Sequence, residues 1–135
     1  MTDFNGILPR ASRRLRTAHA IELPEYQSGS GKPMERYVLA MHTVAVLALD
    51  QVIPFDLSTP IEVFSRTRLP DGRPGYQVRV CAEHDETDAG AFTLRAPWGL
   101  EGLQDADTII VPGVTDPTAP PSPAVRDALR SAAAD

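Results

Sequence analysis

The sequence predicts an α/β fold in which helices flank a parallel β-sheet. Two apolar segments of strand length, residues 44–49 and 108–111, lack the polar alternation of a strand with one solvent-facing side. This pattern indicates strands buried on both faces. Each segment is followed by a turn and then by proline with acidic or hydroxyl residues, which suit a helix N-terminus. A buried strand that leads into a helix is the repeating unit of a parallel α/β sheet.

The first 41 residues differ in charge from the rest of the chain. They carry six basic and four acidic side chains, whereas residues 42–135 carry seven and fourteen, so the net charge of −5 divides into +2 and −7. Residues 27–33 have the Gly/Ser-rich composition of a flexible linker. We therefore predict a disordered, basic N-terminal extension over residues 1–41. A nucleic-acid-binding arm, an import signal and a start codon upstream of the true one, at Met34 or Met41, are the alternatives.

The composition argues against several function classes. The acidic body over residues 42–135 disfavours direct nucleic-acid binding by this part of the chain. Cys81 is the single cysteine, which excludes an internal disulfide and a cysteine-based metal cluster. His19, His42 and His84 lack metal-ligand spacing. No apolar run approaches the roughly 20 residues that a membrane span needs. We therefore expect a cytoplasmic protein with no cofactor, no metal and no membrane partner.

The first predicted strand, residues 44–49, precedes a helix with two candidate starts. In one, Pro54 lies near the first helical position and Asp56 lies in the first turn, where a carboxylate interacts favourably with the helix dipole. In the other, Thr59 is the N-cap of a capping box completed by Glu62. Because ligands in such sheets bind beyond the carboxyl ends of the strands, Asp56 is the first candidate site residue in either case.

Two further strands and a second helix complete the predicted elements. Alternating apolar and polar residues over 76–81 indicate a second strand, and residues 92–94 are a candidate short strand or half of a hairpin. The third buried strand is residues 108–111. Ser122 is a good N-cap for a helix over residues 124–134. Because no strand follows this helix, we expect the sheet to be incomplete.

Three motifs carry a family resemblance. They are the apolar run at 44–49, the string Phe-Asp-Leu-x-x-Pro-x-Glu-Val-Phe at 55–64, and Ala-Asp-Thr-Ile-Ile-Val-Pro-Gly at 106–113. With these motifs, residues 43–134 resemble the front half of the PfpI-like superfamily (class I glutamine amidotransferase-like), which has a flavodoxin-like fold. The greatest similarity is to GlxA-type members of the AraC family of transcriptional regulators.

The resemblance implies that residues 42–135 are the N-terminal half of a PfpI-like domain. The chain ends before the cysteine-bearing nucleophile elbow of the superfamily and before the helix-turn-helix domain of the regulators. A ligand-sensing fragment without catalysis is then expected, which binds an unknown small molecule and meets DNA only through the absent C-terminal domain. Homodimers are common in the superfamily, so a second copy is a candidate partner. The alternative is the front half of a PfpI-like cysteine hydrolase or an isocyanide hydratase-like enzyme.

The resemblance also implies three ligand-binding residues, Asp56, Gly113 and Val114, and no catalytic or metal-binding residue. Asp56 matches an acidic residue that superfamily enzymes keep near the nucleophilic cysteine; an ordinary first-turn helix acid is an equally weighted interpretation. Gly113 matches a turn whose backbone N–H serves as an oxyanion donor. Val114 replaces the second glycine of that turn and restricts the backbone, which favours binding over hydrolysis. Cys81 lacks the strand–turn–helix context of an elbow and is expected to be a small buried hydrophobe.

Overall fold

The computed structural model describes residues 6–9 and 41–134. The strands within these residues are β1 (Gly6–Pro9), β2 (His42–Ala48), β3 (Tyr76–Ala82), β4 (Thr87–Asp88), β5 (Thr93–Leu94) and β6 (Thr108–Val111). The helices are α1 (Pro54–Arg66) and α2 (Pro123–Ala134), with a 3-10 turn at Leu100–Leu103. Within the described residues, no helix has the length and apolar character needed to cross a bilayer.

Three parallel strands form the centre of the main sheet, in the order β6-β2-β3. In the middle strand, Val44 lies opposite Val78 of β3 on one side and Thr108 of β6 on the other. Parallel neighbours on both edges require connections that cross over the sheet, and α1 supplies the one between β2 and β3. The predicted α/β class with a parallel sheet is therefore confirmed.

Strand β1 extends this sheet at its outer edge. It pairs antiparallel with β6, with Gly6 opposite Val111 and Pro9 opposite Thr108. The sequence predicts a disordered extension over residues 1–41, and β1 departs from this prediction at residues 6–9. The other parts of that prediction, including the basic cluster and the linker, fall on residues 1–5 and 10–40, outside the described residues.

Helix α1 begins at Pro54, the earlier of the two candidate starts. Its N-cap, Ile53, has an extended backbone and no side-chain cap. The alternative start at a Thr59 capping box is wrong, because the Thr59 hydroxyl instead donates to the Phe55 carbonyl within the helix (2.7 Å). Pro60 consequently lies inside the helix, where its missing N–H costs one backbone hydrogen bond.

The two helices cover opposite faces of the sheet. Alternate residues of β2 point to opposite sides, so Val44 and Val46 pack in the cluster that contains Leu57 of α1. Ala45 and Leu47 pack in a second cluster with residues of the 3-10 turn and of α2: Leu103, Val125 and Ala132. Residues 43–48 are all buried, which explains their nearly continuous apolar sequence.

A small hairpin lies outside the main sheet. Strands β4 and β5 pair antiparallel, with Thr87 opposite Leu94 and Asp88 opposite Thr93. Of the two interpretations of residues 92–94, half of a hairpin is the correct one. After the hairpin, Trp98 forms an isolated parallel β-bridge with Cys81 at the outer edge of β3. Its backbone carbonyl accepts a hydrogen bond from the Ala82 N–H (3.0 Å).

The central strand gives a test of this architecture. Leu47 is fully buried, so Leu47→Ala is expected to lower the free energy of unfolding by about 2–5 kcal/mol, through lost burial and the cavity left behind. The control Val63→Ala removes an apolar side chain that is 57% exposed on α1. It should change the free energy of unfolding by about 0.5 kcal/mol or less. Urea denaturation followed by circular dichroism measures both. Equal effects would contradict the core assigned here.

Candidate functional site

The carboxyl ends of β2 and β6 lie side by side, and hydrogen bonds join the segments that follow them. The Ile53 N–H donates to the Gly113 carbonyl (2.8 Å), and the Thr115 N–H donates to the Gln51 carbonyl (2.9 Å). These two bonds flank an antiparallel bridge between Val52 and Val114. The start of α1 is therefore fixed against the turn after β6, and we call this region the β2–β6 edge.

Asp56 lies in the first turn of α1, against Gly113. A Cβ atom built on Gly113 would lie 2.5 Å from Asp56 Oδ2, which is closer than van der Waals contact permits. The carboxylate can therefore occupy this position only because residue 113 has no side chain. Asp56 and Gly113, two of the predicted ligand-binding residues, are thus neighbours in space, and their role in binding stays a prediction.

Several polar groups at the β2–β6 edge are available to a ligand. The Asp56 carboxylate makes no hydrogen bond or ion pair with any residue that the structure describes. Over the same residues, the N–H groups of Gly113 and Val114 have no hydrogen-bond acceptor. Val114 also has a structural role, because it lies opposite the buried Val52 and connects the two loops.

An apolar groove of about 280 Å³ opens beside Asp56. It exists because α1 packs against β2 and β3, while the same face of β6 is left open by the described residues. We call it the α1–β6 groove. Its lining comprises Phe55, Asp56, Thr59, Pro60, Val63 and Phe64 of α1, Ile110 and Val111 of β6, and Pro112. Asp56 is the one ionisable side chain in this lining.

The groove was not predicted from the sequence, although the sequence contains a signal for it. Phe55, Thr59 and Val63 follow each other at intervals of four, which places them on one side of a helix. That side differs from the one that carries the core residues Leu57 and Ile61. The Phe55 side chain is 76% exposed, an unusual position for so large an apolar group.

Cys81 lies on the other face of the sheet, in the cluster that packs under α2. It is fully buried, and a Cβ atom built on Gly102 would meet its Sγ at 2.6 Å. Burial raises the pKa of the Cys81 thiol to about 11; the nearby Arg79 charge opposes this shift and Glu101 adds to it. A thiol that stays protonated at neutral pH is a poor nucleophile. The expectation of a small buried hydrophobe is confirmed.

The remaining candidate side chains have local partners. Glu62 forms an exposed ion pair with Arg66, and hydrogen bonding from Arg66 lowers the pKa of the Glu62 carboxyl. His42 Nε2 is 2.9 Å from the Thr108 hydroxyl, and His84 lies beside Glu83. Among the described residues there is no cluster of three or more side chains able to hold a metal ion.

The close approach of Asp56 and Gly113 can be tested by a double-mutant cycle. The backbone at Gly113 does not have the positive φ that disfavours alanine, so Gly113→Ala acts mainly through its methyl group. We expect this change to lower the free energy of unfolding by about 1 kcal/mol, because the carboxylate must move. In an Asp56→Ala background the cost should disappear, giving a coupling energy of about 0.5–1 kcal/mol.

The matched background for this cycle is Asp127→Ala, which removes an exposed carboxylate from α2. There the cost of Gly113→Ala should equal that in the unmodified chain, because distant sites are additive. Equal costs in all three backgrounds, measured by urea denaturation, would contradict the contact between Asp56 and residue 113.

The raised thiol pKa predicts a pH-dependent contribution of Cys81 to stability. Because the folded-state pKa exceeds the unfolded value of roughly 8.5, this contribution is complete below about pH 8.5 and is lost as the pH rises towards 11. Relative to Cys81→Ala, the unmodified chain should lose about 2–3 kcal/mol of unfolding free energy between about pH 7 and pH 10.5. Guanidinium denaturation of both chains checks this. If the difference in unfolding free energy between the two chains does not vary with pH, the prediction is contradicted.

Comparison with known proteins found no match to the chain among protein-family models, curated proteins or solved structures. The resemblance to the PfpI-like superfamily therefore stays a prediction that rests on the three sequence motifs.

Proposed function

We propose that residues 42–135 are the front half of a PfpI-like domain that senses a small molecule in a GlxA-type AraC-family transcriptional regulator. The observation that carries the proposal is the contact of Asp56 with Gly113 at the carboxyl ends of β2 and β6, beside an apolar groove. A pocket that is mostly apolar and has a few converging polar groups is the usual form of a small-molecule site.

The strand order supports the flavodoxin-like part of the proposal. Numbered by their appearance, the parallel strands β3, β2 and β6 are second, first and third. Flavodoxin-like sheets begin with this order, 2-1-3, and bind their ligands outside the strand ends where the order reverses. In this chain the reversal lies between β2 and β6. The covering of opposite faces by α1 and α2 agrees with such a doubly wound sheet.

A binding role suits the chemistry of this edge better than catalysis by the chain itself. The Cys81 thiol belongs to the cluster on the other face of the sheet, and burial keeps it protonated at neutral pH. In the proposed role, Asp56 accepts hydrogen bonds from the ligand, and the N–H groups of Gly113 and Val114 donate to it. An enzyme built on the same edge would need a nucleophilic cysteine from outside this chain.

The other partners follow from the same proposal. Residues 42–135 have a net charge of −7, so DNA contacts would come from a separate helix-turn-helix domain. A regulator of this kind acts in the cytoplasm, and a second copy of the chain is its candidate protein partner. In such a dimer, each copy would contact its ligand at its own β2–β6 edge.

The proposal is tested by the intact mass of the product that the native cell makes, with its peptides sequenced. We expect a mass above 14.6 kDa and peptides from a helix-turn-helix domain that follows residue 135. Downstream peptides that carry a cysteine elbow without a DNA-binding domain would overturn the regulator in favour of the enzyme. A product of 14.6 kDa would overturn both assignments.

A further inference from the structure

We propose that β1 (Gly6–Pro9) is a temporary edge strand, which covers the outer edge of β6 until a strand that follows α2 takes its place. The proposal rests on the proposed function, since the following strand belongs to the rest of the PfpI-like domain. It is carried by the handedness of the sheet connections, by the position of β1 and by the backbone chemistry of its residues.

The connections between the strands predict where a strand after α2 would pair. Helix α1, on one face of the sheet, leads from β2 to β3. The connection from β3 back across β2 to β6 contains the 3-10 turn, which packs on the other face. Because crossovers between parallel strands are right-handed, connections over this second face run from β3 towards β6. Helix α2 lies on the same face, so a parallel strand that follows it would pair beyond β6.

Strand β1 occupies that position. The sheet order is β1-β6-β2-β3, and β1 runs antiparallel to β6, with Leu8 opposite Ile109. A strand has two edges, and the other edge of β6 is paired with β2. Pairing of β1 with β6 and pairing of a further parallel strand with β6 therefore exclude each other. Completion of the sheet requires β1 to leave.

The backbone of β1 suits a strand that can be released. It has four residues, and typical strands have about 5–6. It begins with Gly6, which loses more conformational freedom on folding than other residues, and it ends with Pro9, which has no N–H to donate to a ladder.

The connection to β2 does not hold β1 in the sheet. Residues 10–40 separate the two strands, and a chain of this length spans roughly 100 Å when fully extended. With β6 between them, β1 and β2 are only about 10 Å apart. Strand β1 can therefore leave β6 without any movement of β2.

A temporary strand protects the sheet while the domain is incomplete. Without β1, the outer edge of β6 would present unpaired N–H and C=O groups, which are a template for pairing with another chain. The N-terminal part of a protein is synthesised first, so β1 is available as soon as β6 has been made. Pro9 adds to the protection, because proline on an edge strand hinders the addition of a further strand.

The proposal is tested by native-state hydrogen exchange of the 135-residue chain, measured by NMR at increasing urea concentrations. Because successive N–H groups of a strand point to opposite edges, alternate amides of β6 face β1 and the others face β2. We expect the amides that face β1 to exchange about tenfold faster or more, through a local opening with little dependence on urea. The amides that face β2 should exchange through global unfolding, which urea promotes.

Two substitutions at one position separate the loss of pairing from the loss of a side chain. Leu8→Pro removes an N–H within β1, so the amides of β6 that face β1 should lose their protection while those that face β2 keep theirs. Leu8→Ala keeps the N–H and should change the exchange rates of both sets by about fivefold or less. With its edge uncovered, the Leu8→Pro chain should also associate more strongly than the unmodified chain in sedimentation velocity.

Two results with the 135-residue chain would overturn the proposal. One is a common exchange rate and urea dependence for all amides of β6, and the other is unfolding of the whole chain by Leu8→Pro. Either would mean that β1 belongs to the cooperative core of the fold.

The displacement itself is tested in a native product that continues beyond residue 135. There the amides of Gly6, Ile7 and Leu8 should exchange freely, and their protection would overturn the displacement of β1. A native mass of 14.6 kDa would overturn the regulator assignment but would leave the exchange results of the 135-residue chain unchanged. Failure of the temporary strand and failure of the proposed function are therefore distinguishable.

Discussion

The rest of the structure depends on the burial of β2, which has neighbours on both edges and helices on both faces. Each parallel neighbour must be reached by a connection that crosses the sheet, because parallel strands cannot be joined by a tight turn. The side chains of β2 alternate between the two faces, so Val46 belongs to the core under α1 and Leu47 to the core under α2. A strand in this position needs apolar residues throughout, and residues 44–49 supply them.

In open α/β sheets this arrangement also determines where ligands bind. When the strands on either side of β2 are reached by connections over opposite faces, the helices diverge at the carboxyl ends and leave a crevice between β2 and β6. In this chain the crevice is reinforced by the bond from the Ile53 N–H to the Gly113 carbonyl. The same bond brings the first turn of α1 against Gly113, which has room for the Asp56 carboxylate only because it lacks a Cβ.

Cys81 and Asp56 differ in how far each side chain is shielded from water. Cys81 is enclosed by apolar neighbours, and burial keeps its thiol protonated, so its contribution is packing. Asp56 is half-buried at an open edge and borders a groove that has no basic side chain in its lining. The polar groups at this edge are therefore the carboxylate and the backbone N–H groups near it, whereas the thiol lies on the other face of the sheet.

The sequence by itself determined the α/β class and the parallel strands, because continuous apolar runs and helix-start residues are local signals. It placed Asp56 beyond a strand end and, through the family resemblance, suggested Gly113, but the contact between the two is a property of the tertiary structure. It left two possible starts for α1, because both Pro54 and the capping box at Thr59 are typical helix N-termini. The helix begins at Pro54, which allows Leu57 to pack against the sheet as a helical residue. The pairing of Gly6–Pro9 with β6 and the α1–β6 groove were decided only by the tertiary structure. The pairing depends on the free edge of β6, and the groove depends on the part of the sheet face that α1 leaves open. Residues far apart in the chain set both.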